Sequence, residues 1–597
     1  MAAQVYLTYS ELPVDPPTER ELDEIVSSFK RKPTFFMIAM LNMFLALFDA
    51  NTDEQQAIKV QRFLMANLLD DELYRLVDQK LEEESLIERP VFHRQQLLAL
   101  MKKVLLEASE DGEIDPNQND EAKYQLGKAC LSMSDFLVSP DQNEMITVQN
   151  PAEDHDRVLT ELLVQWSPPA ELMNPPNPIH SIARGSEYFG ILDQGSSEFK
   201  LSGGKSLATV FKGLTQLTLQ QHLKMIYCIH TWYATREFSE LVENPASFNI
   251  NKKTYFSTLG MRESEVESFF HLNAISVDQL ITELSRPPTG TPLRPQYDFT
   301  VFRKYPLVDL SEGIITCIDI SFLIEKLAAG IYHTILNSLP QVGNDRNLFS
   351  NYWGVTFQTY VNDLLREVYP PESGRFFDLP YFDRARSKYE AFDGVIDCGD
   401  AIIVMEYKGG YLHAAAKYSG TSNIFLADLN KKFGRGRHAG LEQLGRKLEI
   451  IFNAVADARK TFSNISFQHV KIIYPLLVVQ EPFLRNGLAN WKMNRLFQDE
   501  IKNRNLDPSL TIRPLVTLTI EDLERVLPYI GSGDISFISL LEDYTTAEYA
   551  PHIAFLDVLN LYRQNNQIPH HQNELMWERF QKVHNEIKES INKEHIS

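Results

Sequence analysis

Apolar residues recur every three or four positions over most of the first half of the chain, which is the spacing of amphipathic helices. This pattern predicts helices within residues 18–108, 120–137 and 205–285. Two proline-rich stretches, 167–178 and 286–295, interrupt the pattern. Because proline lacks a backbone donor and restricts the residue before it, both stretches predict linkers or domain boundaries.

Strand-like patterns begin in the second half of the chain. Residues 298–309 and 314–320 alternate or run apolar as short strands do, and helical spacing returns at 321–338 and 347–368. From 375 to 480 the chain shows β-rich runs, a basic loop, one helix and a last apolar strand. That order is typical of a mixed α/β domain.

Length and pattern together predict a multidomain fold of the α plus α/β class, because 597 residues are too many for a single hydrophobic core. We expect a large, mostly helical N-terminal region, a mixed β-sheet domain with flanking helices, and a helical C-terminal tail. The expected parts are an acidic helical domain at 1–165, a mostly helical region at 166–296, the mixed-sheet domain at 297–545 and the tail at 546–597.

The most apolar segment of the chain is 35–48, FFMIAMLNMFLALF. As a helix it would reach only about 21 Å, at about 1.5 Å per residue, whereas a membrane span needs about 30 Å. The segment also contains Asn42. We therefore expect a buried core helix and no association with a membrane.

The composition is that of a soluble globular protein, with 44% hydrophobic and 23% charged residues. The four cysteines, Cys130, Cys228, Cys317 and Cys398, lie far apart, so the sequence contains no CxxC zinc pair and predicts no disulfide framework. Scattered thiols fit a reducing cytoplasm, where we expect the protein to reside. Each thiol is expected to be a small buried apolar side chain.

Charge is unevenly distributed along the chain. The formal charge of −22 argues at first against nucleic acid, because phosphate binding usually needs a basic surface. Residues 1–150, however, hold 27 Asp and Glu against 14 Lys and Arg, whereas residues 401–460 hold 10 Lys and Arg against 5 Asp and Glu. A locally basic groove is therefore compatible with the acidic total.

The strongest candidate for chemistry is a predicted hairpin, with strands at 391–397 and 401–408 and a glycine in the turn. Glu406 and Lys408 are two residues apart, so both side chains point to one face of the second strand. Asp393, near the start of the antiparallel partner, can lie opposite them. Two carboxylates this close repel each other unless a cation lies between them, and Mg²⁺ prefers such hard oxygen ligands.

These positions resemble the PD-(D/E)xK superfamily, the nucleases with a restriction-endonuclease-like fold. The family signature is an acidic residue, a short hairpin and then (D/E)xK, and the matching residues here are Asp393, Glu406 and Lys408. The resemblance covers about residues 345–485 and identifies them as the core of a nuclease domain.

The flanking elements carry much of this resemblance. The helix 351–370 is similar to the family's first helix, with Gln358 where an acid is usual, so a neutral amide oxygen replaces a charged ligand. The helix 438–448 places Gln443 and Lys447 one turn apart, similar to polar positions in many members, and an apolar strand follows. The resemblance implies that these three polar side chains support the catalytic site.

The resemblance also implies hydrolysis of phosphodiester bonds with Mg²⁺, or Mn²⁺, as the cofactor. Asp393 and Glu406 would hold the metal ion, helped by the backbone carbonyl of Tyr407. Lys408 would orient or deprotonate the attacking water and offset charge that develops on the phosphate oxygens.

Some alternatives remain open. Asp397 and Asp400 compete with Asp393 for the ligand role, although Asp397 lies closer to the turn. His413 and His438 lie near the site and are candidates for contact with the substrate. A basic loop also follows, whose side chains would contact a nucleic-acid backbone. These side chains are Lys431, Lys432, Arg435 and Arg437.

The favoured function is a metal-dependent endonuclease acting on DNA. The large N-terminal region resembles, in architecture alone, the regulatory or assembly parts of bacterial restriction and anti-phage defence nucleases. Cutting both strands of a duplex needs two sites, which favours a homo-oligomer. A separate ATPase or sensor subunit is a further candidate partner. The alternative is a degenerate nuclease fold that serves as a binding or scaffold subunit, which the glutamine at 358 favours.

Overall fold

The protein is seen in a computed structural model. It describes residues 6–47, 54–82, 89–137, 151–194, 200–201, 203–236, 240, 244–287, 290–378, 380–384, 387–436, 439–453, 465–547, 553–571 and 573–596. Helices dominate these residues, and the strands form two mixed sheets and a small hairpin. This is the multidomain α plus α/β layout that the sequence predicts.

Helices form most of the first half of the chain, as predicted. They begin at capping signals such as Thr18, whose side chain and backbone exchange hydrogen bonds with Glu21. In chain order they are α1 Glu19–Ser28, α2 Arg31–Leu47, α3 Glu54–Leu68, α4 Asp71–Glu82, α5 Arg94–Glu107, α6 Asp120–Leu137, α7 Pro151–Met173, α8 Pro178–Gln194, α9 Leu207–Thr215, α10 Leu219–Ala234, α11 Lys252–Thr258, α12 Glu263–Asn273 and α13 Val277–Leu284.

The second half alternates helices with strands. Its helices are α14 Thr300–Lys304, α15 Ile320–Ile324, α16 Ala329–Ser338, α17 Asp345–Val368, α18 Ala414–Tyr418, α19 Ser422–Lys432, α20 Gly440–Ile451, α21 Gly487–Ile501, α22 Ile520–Gly531, α23 Phe537–Thr546, α24 Phe555–Asn565 and α25 Glu574–Ile596. The strands of the whole chain are β1 Ile250–Asn251, β2 Ala274–Ser276, β3 Leu307–Ser311, β4 Ile314–Cys317, β5 Phe376–Asp378, β6 Tyr381–Arg384, β7 Ser387–Glu390, β8 Gly394–Asp397, β9 Ala401–Lys408, β10 Ile472–Val479, β11 Thr511–Ile512 and β12 Val516–Thr519.

The apolar helix α2 is buried, as predicted. Its one buried amide, Asn42, donates to the carbonyl of Ile318 and to the carboxylate of Asp319, both at 2.9 Å. Asp319 is itself paired with Arg94 at 2.7 Å, so the amide donor of Asn42 and both charges of this core have partners. Within the described residues, no helix is long and apolar enough to cross a membrane.

The larger sheet carries the predicted hairpin. Its strand order is β11-β10-β9-β8-β5, and β12 pairs with the second half of β10 on the same edge as β11. Strand β8 is antiparallel to both β5 and β9, whereas β10 runs parallel to β9. The segment 409–471, which contains α18, α19 and α20, connects β9 to β10 and provides the crossover that a parallel pair requires. A smaller sheet, β1-β4-β3-β2, lies earlier in the chain.

Both faces of the larger sheet are covered, which explains the unbroken apolar run of β9. One face, with Met405 and Tyr407, packs in a core shared with α17 and the N-terminal helices. The other face, with Ile402 and Val404, packs in a second core that includes α20. Because side chains alternate along a strand, Glu406 points toward the α20 side.

The proline-rich stretch 167–178 does not form the predicted linker over its first part, because α7 runs through both Pro168 and Pro169. The missing amide of Pro169 would leave the Gln165 carbonyl unpaired, and the hydroxyl of Tyr297 donates to that carbonyl at 3.3 Å. Tertiary contacts of this kind cannot be seen in the local sequence. The helix crosses the boundary predicted at residue 165.

Four smaller predictions need correction. Residues 298–309 do not form one strand, because the Asp298 carboxylate accepts the Thr300 amide at 3.2 Å and starts the short helix α14 before β3. The helix predicted at 321–338 is broken at Ala328, and β1 and β2 interrupt the helical stretch 205–285. Cys398 is exposed in the hairpin turn, whereas the other three thiols are buried as expected.

Candidate active site

The hairpin forms with the predicted register, apart from a slightly later start of its first strand. Gly394 pairs with Met405, so Asp393, the residue before β8, lies opposite Glu406. The Asp393 amide donates to the Met405 carbonyl at 3.1 Å and continues the ladder by one residue. The turn contains Gly399 at a φ of +92°, a conformation that favours glycine. Cross-strand neighbours share a face, so both carboxylates point toward α20.

Two carboxylates and two ammonium groups meet at this end of the hairpin. Lys447 Nζ lies 2.8 Å from Glu406 Oε2 and 3.3 Å from Asp393 Oδ1. Lys408 Nζ lies 3.0 Å from Glu406 Oε1. Glu406 is 1% exposed and Asp393 is 8% exposed, so these charges interact in a largely dry site. Two negative and two positive groups make the cluster neutral.

The helix α20 contributes two of the polar groups. Gln443 Oε1 accepts a hydrogen bond from Lys408 Nζ at 2.6 Å, and Lys447 follows one turn later on the same face. The helix begins at Gly440, where a Cβ atom would lie 2.8 Å from Leu477 and 3.3 Å from the Lys408 stem. Glycine therefore allows α20 to approach the strand end closely enough for both side chains to reach the cluster.

The backbone of Tyr407 orients one of the carboxylates. The Tyr407 amide donates to Asp393 Oδ2 at 2.7 Å. Burial, and then the negative charge of Asp393, raise the pKa of the Tyr407 phenol well above its ordinary value of 10. This phenol points to the opposite face, where a Cβ on Gly394 would lie 2.3 Å from its oxygen. Tyr407 is therefore a neutral packing residue, and only its backbone adjoins the carboxylates.

Gln358 is half-buried on α17, the helix that packs on the opposite face of the sheet. Its neighbour Phe357 contacts Gly409, the residue after Lys408. Among the described residues, the Gln358 side chain makes no hydrogen bond with the cluster. The structure therefore places Gln358 near the strand end without joining it to the two carboxylates.

The two competing carboxylates lie at the far end of the hairpin. Asp397 pairs in register with Ile402, accepts the Gly399 amide at 2.9 Å and lies 3.4 Å from His469. Asp400 is exposed and lies 3.8 Å from Lys471. Neither is beside Glu406, which favours Asp393 as the partner of Glu406.

The basic loop is shorter than predicted, because Lys431 and Lys432 are the last two residues of α19. The remaining loop leads into α20, whose first residue lies against the Lys408 side chain, so the loop lies beside the cluster. Lys431 and Arg435 are exposed, and Arg435 lies 3.6 Å from Asp499. Lys432 instead pairs with Asp428 at 3.2 Å and also donates to a backbone carbonyl, so it has a structural role here. Arg437 and His438 lie outside the described residues.

Sequence reasoning gave His413 no partner and missed Asp428 and Glu481. The Asp428 carboxylate accepts the His413 backbone amide at 2.7 Å and its ring nitrogen at 2.8 Å. Burial raises the pKa of Asp428, but the hydrogen bonds from His413 and the charge of Lys432 lower it to about 2. Glu481 is fully buried two residues after the end of β10 and accepts the Leu412 amide at 2.6 Å. An acid so close to the end of a buried strand was the signal that could have indicated Glu481.

The donor set suits a hard divalent cation. One nitrogen atom, Lys447 Nζ, lies within 3.3 Å of oxygens from both Asp393 and Glu406, so a single cation can contact both carboxylates. Carboxylate oxygens are the ligands that Mg²⁺ and Mn²⁺ prefer. The described residues contain no cluster of three or more His, Cys, Asp or Glu side chains arranged to hold a metal ion. Such a site would therefore need backbone or water oxygens to complete it.

No protein-family model, curated protein or solved structure matches the chain. The assignment of a function therefore depends on the residues and contacts of this chain alone.

Proposed function

We propose that this protein is a metal-dependent nuclease that hydrolyses phosphodiester bonds in DNA, with Asp393, Glu406 and Lys408 as its catalytic residues. The convergence of these three side chains carries the proposal: the register sets Asp393 opposite Glu406, and Lys408 lies 3.0 Å from Glu406. The order of helix, hairpin, helix and parallel strand around them supports the resemblance to the PD-(D/E)xK nucleases.

Asp393 and Glu406 would hold Mg²⁺ or Mn²⁺, with the backbone carbonyl of Tyr407 as a third oxygen. When bound, such an ion supplies Lewis acidity at the phosphate and increases the acidity of a water molecule. The Asp393 carboxylate is already oriented by the Tyr407 amide at 2.7 Å, so one of its oxygens is fixed and the other faces Glu406 and Lys447.

Lys408 would position the attacking water and offset negative charge on the phosphate. Its ammonium group is held by Glu406 Oε1 at 3.0 Å and by Gln443 Oε1 at 2.6 Å. A cation fixed before the reaction stabilises developing charge without having to reorganise. Because its pKa is raised, the Tyr407 phenol stays protonated at neutral pH and does not serve as a general base.

The basic loop would bind the nucleic-acid backbone. Lys431 and Arg435 are exposed beside the start of α20, so their charges are available to phosphates, although the whole chain has a charge of −22. Lys432, the last residue of α19, connects that helix to the segment after β9 by donating to the backbone carbonyl of Tyr411. We expect binding that weakens with salt, as phosphate contacts do.

The N-terminal region would regulate or assemble the nuclease. Helix α7 is tied to the nuclease domain by Glu171, which pairs with Lys417 at 3.2 Å and accepts the Tyr418 hydroxyl at 2.7 Å. We propose that the protein acts as a homo-oligomeric effector of bacterial defence in the cytoplasm, with an ATPase or sensor subunit as a candidate partner. This part of the proposal depends on the architectural resemblance alone.

One observation favours the alternative, a scaffold with a nuclease fold and no activity. Lys447 neutralises Asp393 and Glu406 without any metal ion, as a purely structural cluster would. Gln358, at a position where the family usually has an acid, also favours a scaffold. A scaffold, however, has no chemical need for both carboxylates and Lys408 at one strand end.

The test is to incubate the full chain with supercoiled plasmid, linear duplex, single-stranded DNA and RNA, with Mg²⁺, Mn²⁺ or EDTA. Asp393→Asn, Glu406→Gln and Lys408→Met are compared with Asp397→Asn, a matched control on the same strand. We expect cutting of DNA that requires the metal ion, is lost in the first three variants and persists in the control.

Two results would contradict the proposal. If no nucleic acid is cut by the wild type, alone or with its candidate partner subunits, the scaffold alternative is preferred. If cutting persists in Glu406→Gln but is lost in Asp397→Asn, the activity belongs to the other end of the hairpin.

A further inference from the structure

The ammonium group of Lys447 lies between the two carboxylates that are proposed to bind metal. It contacts Glu406 Oε2 at 2.8 Å and Asp393 Oδ1 at 3.3 Å. Its side chain is only 10% exposed, and Leu444 and Leu448 on either side of it are buried in the second core. The helix therefore holds this ammonium group in the cluster, and solvent does not surround it.

We propose that Lys447 is a built-in counter-ion of the metal site, which lowers the affinity of Asp393 and Glu406 for divalent cations by occupying the position that the cation takes. This inference rests on the proposed function, since it concerns the same two ligands. Lys447 is a residue that sets cation affinity and is distinct from the catalytic Lys408.

The charges of the cluster require such a counter-ion. Asp393 and Glu406 are 8% and 1% exposed, and two carboxylates in a dry site repel each other strongly. The carboxylate that Lys408 contacts is Glu406, at 3.0 Å, so Lys408 does not neutralise Asp393 directly. Lys447 contacts both, and the metal-free site is thereby kept neutral and ordered.

The two lysines differ in what a cation would do to them. Lys408 has a second partner in Gln443 Oε1 at 2.6 Å and contacts Oε1 of Glu406, whereas Lys447 contacts Oε2, so Lys408 can stay in place. Lys447 lies between Asp393 and Glu406, and its ammonium must move when one ion contacts both carboxylates. The free energy of the contacts that Lys447 loses makes the binding of the ion less favourable by the same amount.

The experiment measures Mn²⁺ binding to the full chain by the decrease of the free-ion electron paramagnetic resonance signal, at one fixed pH and without nucleic acid. Lys447→Met removes the charge and keeps the length of the side chain, and Lys447→Arg keeps the charge. Arg446→Met is the matched control, because it removes an exposed charge from the adjacent position of the same helix. Asp393→Asn removes one of the two proposed ligands and so shows whether Mn²⁺ binds at this site.

We expect Lys447→Met to bind Mn²⁺ at least about tenfold more tightly than the wild type, which corresponds to about 1.4 kcal/mol. Lys447→Arg and Arg446→Met should stay near the wild-type affinity, and Asp393→Asn should lose binding. If Lys447→Met is unstable without metal, its melting temperature should rise more on addition of Mn²⁺ than that of the wild type.

Binding by the wild type that is lost in Asp393→Asn but is not strengthened in Lys447→Met overturns this inference and leaves the nuclease proposal in place. An equal gain in Arg446→Met also overturns it, because the effect would then be one of general charge. If neither the wild type nor Lys447→Met binds Mn²⁺, both the inference and the proposed metal site fail.

Discussion

Glu406→Gln is the substitution that perturbs the cluster most cleanly, because it changes one charge and hardly any volume. Glu406 is the shared partner of two ammonium groups, Lys408 at 3.0 Å and Lys447 at 2.8 Å. The variant leaves two positive groups beside a single carboxylate, Asp393, so the cluster changes from neutral to a net charge of +1.

The expected cost follows from the contacts that remain. Removing one partner of a buried ion pair typically costs about 3–5 kcal/mol. Here Lys447 keeps Asp393 at 3.3 Å, and the glutamine oxygen still accepts one hydrogen bond. We therefore expect a smaller loss of local stability, about 2–3 kcal/mol.

Hydrogen–deuterium exchange of the peptide that spans β9 measures this loss of stability locally. A global unfolding measurement is less suitable, because a chain of several domains need not unfold in a single transition. A loss of about 2 kcal/mol corresponds to roughly thirtyfold faster exchange of the protected amides. The double variant Glu406→Gln with Lys408→Met should exchange more slowly than Glu406→Gln, because Lys408 is the ammonium group that loses its carboxylate partner, whereas Lys447 keeps Asp393. Unchanged exchange in Glu406→Gln, or a double variant whose losses simply add, would refute the counter-ion reasoning.

Three further predictions concern the frame around the site. Gly394→Ala should cost about 1–3 kcal/mol, because a Cβ would lie 2.3 Å from the Tyr407 hydroxyl, and adding Tyr407→Phe should recover part of the loss in thermal unfolding. Burial raises the pKa of Glu171, but the charges of Lys417 and Arg303 and a hydrogen bond from Tyr418 outweigh burial and lower it from its ordinary 4.5 to about 2. Its stabilising contribution is therefore complete above about pH 5 and is lost as the pH falls toward 2, so Glu171→Gln should flatten the melting temperature between pH 6 and 3. Tyr297→Phe should cost about 1–2 kcal/mol in thermal unfolding, because it leaves a carbonyl of α7 unpaired.

These three predictions have distinct controls. Gly399→Ala is the control for Gly394→Ala. A Cβ at Gly399 would meet no neighbouring atom, so any loss of stability would come from its positive φ, and Tyr407→Phe should not restore it. Equal acid sensitivity of Glu171→Gln and the wild type would contradict the pH prediction. Tyr297→Phe with no loss of stability would show that the prolines of α7 need no external donor.

The part of the site that lies within the hairpin was predictable from the sequence. Strand alternation places Glu406 and Lys408 on one face, and the turn glycine fixes the register that brings Asp393 opposite Glu406. These are local rules, and the distances between neighbouring residues on paired strands follow directly from them. For the same reason, Asp397 and Asp400 could be judged weaker candidates for the metal ligand than Asp393.

The contribution of α20 was only partly predictable. Helical spacing places Gln443 and Lys447 on one face, but it does not say what that face meets. The contact of Gly440 with the Lys408 stem sets how close the helix comes, and that contact joins residues far apart in the sequence. The bridging position of Lys447 between two carboxylates could therefore not be foreseen.

The remaining differences have the same origin. A helix through Pro168 and Pro169 depends on a hydroxyl donated by Tyr297, more than a hundred residues later. The partner of His413 comes from α19, and the exposure of Cys398 comes from a turn that projects from the sheet. Long-range contacts decided each of these points, and local patterns do not record them.

The central claim is tested most directly by the rate at which the wild-type chain cuts a labelled duplex with Mn²⁺, measured beside Asp393→Asn and Asp397→Asn. We predict cleavage that EDTA abolishes, a loss of at least about a hundredfold in Asp393→Asn, and a rate in Asp397→Asn within about threefold of the wild type. Equal rates in the wild type and Asp393→Asn would contradict it.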